Sequence, residues 1–299
     1  MNKLKAIWQL MRLEHGVMIA LAILVGYLIA VQNNIPPLET IILPLLFSFF
    51  TAFFLQASTF ALNDYYDLDI DRRNQRTDRP LVRGDLTPKT AVYLFLFLFP
   101  LGIICSSFVN LTCFLIALIT GLLSIVYDTV LKKMKLLGNF FIAYVMAIPF
   151  VFGGAAALPS EEAVLHLHPA IFIVALIAFL AGAGREIMKD AMDFEGDRQK
   201  GVKSFPRYIG IRASNIIAAT LYLPAIMLSF VPFFFQGYGT YYQNLLYFIL
   251  VFLTDTMLLS TSLQLIVKQK PNMRFYRKFT LLALFIGILA FLIGAFTGG

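Results

Sequence analysis

Asn63-Asp64-Tyr65-Tyr66-Asp67-Leu68-Asp69-Ile70-Asp71 follows directly on the apolar run from Ile41 to Leu62, and the two read as one helix that leaves an apolar medium and ends in acid. If the helix continues, Asn63, Asp67 and Asp71 stand four residues apart and fall within about 80° of one another at ~100° per residue. They then form a column of oxygen ligands where the apolar run stops. Carboxylates and an amide oxygen on one face suit Mg2+, a hard cation usually held by one or two carboxylates together with substrate phosphates. The bland alternative is a solvated acidic helix end. Against it, the aspartates at 64, 67, 69 and 71 repel one another unless something cationic sits among them, which costs stability in a purely structural helix terminus.

Composition identifies the apolar medium. The 299 residues are 59% hydrophobic and 14% charged, and the mean hydropathy is +0.79. A soluble globular domain is far less apolar, so the chain is read as an all-α integral membrane protein. Nine runs are long enough to cross ~30 Å of hydrocarbon at 1.5 Å per residue: Gly16–Val31, Ile41–Leu62, Thr90–Ser107, Leu111–Tyr127, Gly138–Ala157, Pro169–Met188, Ala213–Phe235, Leu245–Val267 and Phe279–Ala295. The first is short unless the amphipathic stretch Leu4–Leu13 leads into it. No cleavable signal is evident, because Met1–Arg12 lacks an apolar core and a small-residue cleavage site. Cys105 and Cys113 flank a short turn with no CxxC or Cys/His spacing, and they read as packing residues rather than a zinc or disulfide framework.

The formal charge of +7 does not point to nucleic acid, because the basic residues cluster between apolar runs. All 24 Lys and Arg fall before helix 1 or around the 2–3, 4–5, 6–7 and 8–9 connections, which a nine-helix count puts on one side. By the positive-inside rule that side is the cytoplasm. The protein is expected in the cell membrane, with a cytoplasmic amino terminus and an external carboxyl terminus. Only Glu39, Glu161 and Glu162 charge the opposite loops.

The same topology carries a second acidic cluster to that side. After helix 6 the chain reads Arg185-Glu186-Ile187-Met188-Lys189-Asp190-Ala191-Met192-Asp193-Phe194-Glu195-Gly196-Asp197, and Asp190, Asp193 and Asp197 fall within about 60° on a continued helix. The two acidic faces are expected to meet, each followed by a basic loop. Cations and arginines around a polyanion, namely a diphosphate bridged by metal ions, account for that arrangement.

These motifs resemble a known family. Asn63-Asp64-x-x-Asp67-x-x-x-Asp71 followed by Arg76-Thr77-Asp78-Arg79-Pro80 is similar to the first signature of the UbiA superfamily of intramembrane prenyltransferases. Asp190-x-x-Asp193-x-x-x-Asp197, followed by Gly201 and the Pro206…Gly210 pair, is similar to the second. Tyr127 to Lys132, followed by Gly138-Asn139, resembles that family's helix 4–5 connection, so the likeness covers essentially the whole chain. Within the superfamily, Asp193-Phe194-Glu195-Gly196-Asp197 with Arg185-Glu186 upstream is most similar to archaeal digeranylgeranylglyceryl phosphate synthases.

The resemblance implies one domain over residues 1–299, with nine helices around a central cavity open to the cytoplasmic side. It implies that a polyprenyl diphosphate, here geranylgeranyl diphosphate, binds through Mg2+ to Asn63, Asp67, Asp71, Asp190, Asp193 and Asp197. It loses diphosphate and alkylates the hydroxyl of geranylgeranylglyceryl phosphate. An aromatic acceptor, as in quinone biosynthesis, is the alternative within the class. An ion or phosphate transporter is the alternative outside it, because intramembrane carboxylates also mark ion routes.

Arg72, Arg76, Arg79, Lys132 and Lys189 can offset the charge on the leaving diphosphate. Arg12 is expected to face the cavity, and His15 is left open. Tyr127 is the aromatic expected to stabilise the allylic cation. Asp64, about 100° off the Asn63 column, is either a base for the acceptor or an ordinary helix-end aspartate. Asp255, in mid-helix, is either a cavity contact or an internal hydrogen-bonded residue. His166 and His168 read as a solvated loop. Gly153-Gly154 and Gly182-x-Gly184 read as sites of close helix packing.

Overall fold

The computed structural model describes residues 3–32, 36–73, 75–158, 166–199, 201–268 and 271–297. Among them there is no strand. The helices are α1 (Lys3–Met11), α2 (Leu13–Val31), α3 (Leu38–Arg73), α4 (Pro80–Arg83), α5 (Pro88–Ser107), α6 (Leu111–Thr129), α7 (Lys135–Ala156), α8 (Pro169–Gln199), α9 (Phe205–Phe234), α10 (Leu245–Val267) and α11 (Met273–Thr297). Short 3-10 stretches cover Leu131–Lys133 and Gln236–Tyr241. Eight helices are long and apolar enough to span a membrane, and α1 paired with residues 16–31 across a 47° bend makes up to nine. The amphipathic lead-in to the first span is therefore a separate helix. Between α1 and α2, Arg12 has φ +48°, a left-handed conformation costly for any residue but glycine. Glu161 and Glu162 lie outside the described residues, as does the side chain of His15.

Helix length explains why both acidic motifs are helical. α3 has 36 residues and α8 has 31, or ~54 and ~46 Å at 1.5 Å per residue. Each exceeds the ~30 Å of a hydrocarbon core, so each carries its polar end beyond the apolar layer without a break. Other helix starts follow from ordinary caps. Asn110 Oδ1 accepts from Cys113 N at 2.8 Å at the start of α6, and Asn244 Oδ1 accepts from Tyr247 N at 3.1 Å at the start of α10.

The chain divides into two compact units. The first comprises Met1–Ala20, Pro36–Val130 and Ala155–Val164, and the second Leu21–Ile35, Leu131–Gly154 and Leu165–Gly299. In the first, α3 packs against α5 and α6, and α1 and α4 lie against the acidic half of α3. A small core of Ala6, Leu10, Ala61, Leu68, Leu81, Leu86 and Ala91 joins them. In the second unit α8 packs on α9, α9 on α10, α10 on α11 and α11 back on α8. Met188, Tyr222, Leu258 and Ala283 belong to that ring's core. Asp255 is buried there; Ser229 Oγ donates to its Oδ2 at 2.6 Å, and Tyr247 Oη donates to Ser229 O at 2.6 Å. Of its two readings, the internal hydrogen-bonded one describes the structure.

Two glycines in the second unit bring α2 and α7 into backbone contact. A Cβ on Gly153 would lie 1.9 Å from Ile23 O, and one on Gly26 would lie 2.0 Å from Phe150 O. No side-chain rotation relieves a clash with a carbonyl. Gly153→Val is therefore expected to lower the melting temperature in detergent sharply, with a destabilisation of about 3 kcal/mol or more. Gly287→Ala is the control, because its Cβ meets the Thr254 side chain at ordinary contact distance, 3.4 Å from Cγ2 and 3.9 Å from Oγ1. Equal melting temperatures for the two variants would contradict the packing.

Candidate active site

The first acidic motif lies on the buried face of α3 that runs through Ala57, Ala61, Asp64, Leu68 and Asp71. Asp64 and Asp71 are seven residues apart, about 20° around the helix, so Asp64 belongs to the face of Asp71. The expectation that it stands apart from the column, measured from Asn63, is corrected by this geometry. Both aspartates meet Arg79, with Nη1 3.2 Å from Asp64 Oδ1 and Nε 3.8 Å from Asp71 Oδ2. Arg12 forms a second ion pair with Asp64 and lies over the Phe60 ring, 4.5 Å from its centroid. Asp64 is only 2% exposed.

Local sequence explains how Arg79 reaches α3. Pro80 begins α4, where its missing N–H costs nothing, and Gly84 ends it at φ +79°. Arg83 holds the loop, donating to Gln9 Oε1 at 2.7 Å and Thr77 O at 2.8 Å. A cavity of about 270 Å³ is lined by Trp8, Gln9, Arg12, Asp78, Arg79 and Pro80. Arg76 makes a two-pronged contact with Asp78, both bonds 2.9 Å, and that hydrogen bonding holds the Asp78 carboxyl below the usual carboxylate range. Arg76 is thus turned to its own loop, and Arg72 is exposed.

Asn63 donates from Nδ2 to Asp128 Oδ1 at 2.7 Å, and Asp128 is buried in the last turn of α6. Tyr127 beside it is partly buried, as is Asp67. Lys132 follows in the 3-10 turn with its Nζ buried.

The second unit repeats the pattern of the first. Asp190 and Asp197, again seven residues apart, meet one cation: Lys135 Nζ lies 3.1 Å from Asp190 Oδ1 and 2.6 Å from Asp197 Oδ2. Asn139 Nδ2 donates to Asp190 Oδ2 at 2.7 Å. Asp193 is exposed. One turn earlier, Glu186 takes Lys189 at 2.7 Å and Arg185 at 3.3 Å, two cations on one carboxylate. Each motif therefore has its outer aspartates drawn to a basic side chain. Lys135, Asn139, Asp128 and Glu186 were not assigned roles in the sequence. The readable signal was the four-residue spacing of Lys135 and Asn139, which puts both on one face of α7.

Among the described residues, no three His, Cys, Asp or Glu side chains converge as a metal cluster. The donor chemistry nevertheless fits Mg2+: oxygen ligands only, carboxylates in each motif, and places left for phosphate oxygens. Neither histidine whose side chain is described enters. His166 is exposed, and His168 Nδ1 accepts from Ala170 N at 3.2 Å at the start of α8. Cys113 is buried and Cys105 partly so, both free, as packing residues.

The sequence profile of the UbiA prenyltransferase family matches residues 19–286. The digeranylgeranylglyceryl phosphate synthase of Archaeoglobus fulgidus is 39% identical over 296 residues, covering 98% of this chain and 96% of the relative. A solved structure described as giving structural and mechanistic insights into digeranylgeranylglyceryl phosphate synthase in membranes superposes with a TM-score of 0.77 at 31% identity, covering 99% of each chain. A UbiA homologue from Archaeoglobus fulgidus, solved with DMAPP and Mg2+, superposes at 0.53 with 17% identity, over 97% of this chain and 98% of that one, a likeness of fold.

Asp64 carries two ion pairs on one buried carboxylate. Asp64→Asn would leave Arg12 and Arg79, 18% and 19% exposed, without their shared counter-charge. The expected loss is about 3 kcal/mol, the lower end for breaking a buried ion pair because both guanidiniums keep some solvent. Denaturation in detergent measures it. A variant as stable as the wild type would contradict the clamp.

Proposed function

The chain belongs to the UbiA prenyltransferase family, and from that premise we propose that it moves a geranylgeranyl-type chain from its diphosphate to the hydroxyl of geranylgeranylglyceryl phosphate. The observation that carries this reading is the 39% identity to a digeranylgeranylglyceryl phosphate synthase over nearly the full length of both chains. In the reaction the allylic C–O bond breaks, diphosphate leaves with the electron pair, and the acceptor oxygen forms the new ether bond and gives up its proton. One domain over residues 1–299 performs it; support comes from the family match, which runs through both compact units.

In this reading Asn63, Asp67 and Asp71, and Asp190, Asp193 and Asp197, hold Mg2+. The cation supplies charge stabilisation to the leaving diphosphate. Support comes from the all-oxygen donor set and from a charge distribution that puts both acidic helix ends on one side of the bilayer. Arg79 and Lys135 already stand among the carboxylates, Arg72, Arg76 and Lys132 follow in the adjoining loops, and all of them are suited to phosphate oxygens. Asp64, clamped by two guanidiniums, positions Arg12 and Arg79 rather than taking a proton. Tyr127 offers its ring to the allylic cation. Lys189 and Arg185 share the single carboxylate of Glu186, and that excess of positive charge suits the acceptor's phosphate.

Incubation with Mg2+, labelled geranylgeranyl diphosphate and a panel of acceptors tests the reading. Product is expected from the glycerophosphate lipid; faster prenylation of a hydroxybenzoate or naphthoate would move the assignment to the aromatic class, and anion uptake without product would make it a transporter. Asp67→Asn and Asp193→Asn are each expected to cut turnover by roughly 100-fold or more. Neither should unfold the protein, because each relieves repulsion within an acidic cluster. Full activity in either variant at limiting Mg2+ would count against the ligand assignment.

The basic loops orient the chain with its amino terminus in the cytoplasm. With Cys105 and Cys113 replaced, Arg73→Cys and Lys203→Cys should react with an impermeant thiol reagent only from the cytoplasmic face. Labelling of either from outside would reverse the topology.

A further inference from the structure

Asp128 is a carboxylate in a place that disfavours one. It stands in the last turn of α6, whose other residues are all uncharged, and it is 7% exposed. There it faces the partial negative charge of a helix C-terminus and gives up most of its hydration. Its Oδ1 accepts from Asn63 Nδ2 at 2.7 Å, and Asn63 is the first residue of the acidic motif on α3. A mere tie between α3 and α6 would not need the charge. An Asn or Ser at 128 would supply a hydrogen bond of the same order, ~1 kcal/mol, without burying an anion.

The charge does something the tie alone cannot. A primary amide can turn either end to a neutral partner, since its nitrogen donates and its oxygen accepts. Here Asp128 Oδ1 accepts, and it takes the nitrogen. Asn63 is then fixed with Oδ1 directed away from Asp128, and an amide oxygen is the atom a hard cation takes. We propose that Asp128 is a positioning residue that locks the Asn63 amide in the orientation that offers its oxygen to a divalent cation shared with Asp67 and Asp71. The inference rests on the reading that this motif binds Mg2+. Supporting groups behind metal ligands commonly set affinity by 10- to 100-fold.

The test is a double-mutant cycle read by metal binding rather than by turnover. Mn2+ is titrated into the purified full-length protein in detergent and free Mn2+ is followed by electron paramagnetic resonance, for the wild type, Asp128→Asn, Asn63→Ala and the double variant. Asp128→Asn is expected to keep the wild-type melting temperature and to weaken Mn2+ binding roughly tenfold. The double variant should bind no more weakly than Asn63→Ala alone, because Asp128 acts through Asn63. Should Asp128→Asn fail to fold, Asp128→Ser, which also accepts without charge, takes its place in the cycle. Wild-type affinity in the position-128 variant overturns the inference and leaves the functional reading standing. An equal further loss in the Asn63→Ala background also overturns it, since Asp128 would then act on the cation by another route. A wild-type protein that binds no Mn2+ overturns the metal reading and this inference together.

Discussion

A carboxylate buried at the end of a membrane-spanning helix loses hydration and needs a cation or a hydrogen-bond donor beside it, and the polar ends of both long helices are built around that constraint. Asp64 is held by Arg12 and Arg79, and Asp190 by Lys135 with Asn139. These contacts explain otherwise costly features nearby. Arg12 keeps a left-handed backbone, and a four-residue helix stands between Pro80 and Gly84 with no span of its own to build. Each places a guanidinium against α3. The same arrangement suits the proposed chemistry, because a site whose anions are already balanced by basic side chains has cations in place for a diphosphate. Charge is rearranged rather than newly buried.

The fold was legible because its signal is long and one-dimensional. Runs of about twenty apolar residues mark spans without any tertiary information, and the run Leu245–Val267 coincides with α10 to the residue. The first span was less legible, since α1 is amphipathic and Arg12, at the bend, finds its partner Asp64 52 positions away. The acidic motifs were readable as helix faces. Their internal pairing was not: spacing alone does not name Arg79 as the group on which Asp64 and Asp71 converge. Lys135 and Asp128 were hidden for the same reason. A lysine in a basic loop and an aspartate ending an apolar helix each have ordinary explanations until a partner 62 or 65 positions distant is seen.

The likeness between the motifs gives the account its chemical content. In each, the two aspartates of an i, i+7 pair converge on one basic side chain, with Asp67 and Asp69 between them in the first and Asp193 in the second. An amide is engaged at each site as well, Asn63 with Asp128 and Asn139 with Asp190. A transporter's ion route does not call for basic side chains interleaved with every acidic pair, whereas binding a metal-bridged polyanion calls for both signs of charge at close quarters.

The central claim is that these acidic helix ends hold a prenyl diphosphate through divalent cations. Anomalous diffraction at the manganese edge, from crystals grown with Mn2+ and a non-reactive prenyl thiodiphosphate, tests it most directly. The account predicts manganese peaks about 2.1 Å from carboxylate oxygens of Asp67 or Asp71 and of Asp193 or Asp197, each also bonded to diphosphate oxygens. Diphosphate bound with no manganese beside either motif, and Asp64 and Asp190 still paired with Arg79 and Lys135 as here, would contradict it.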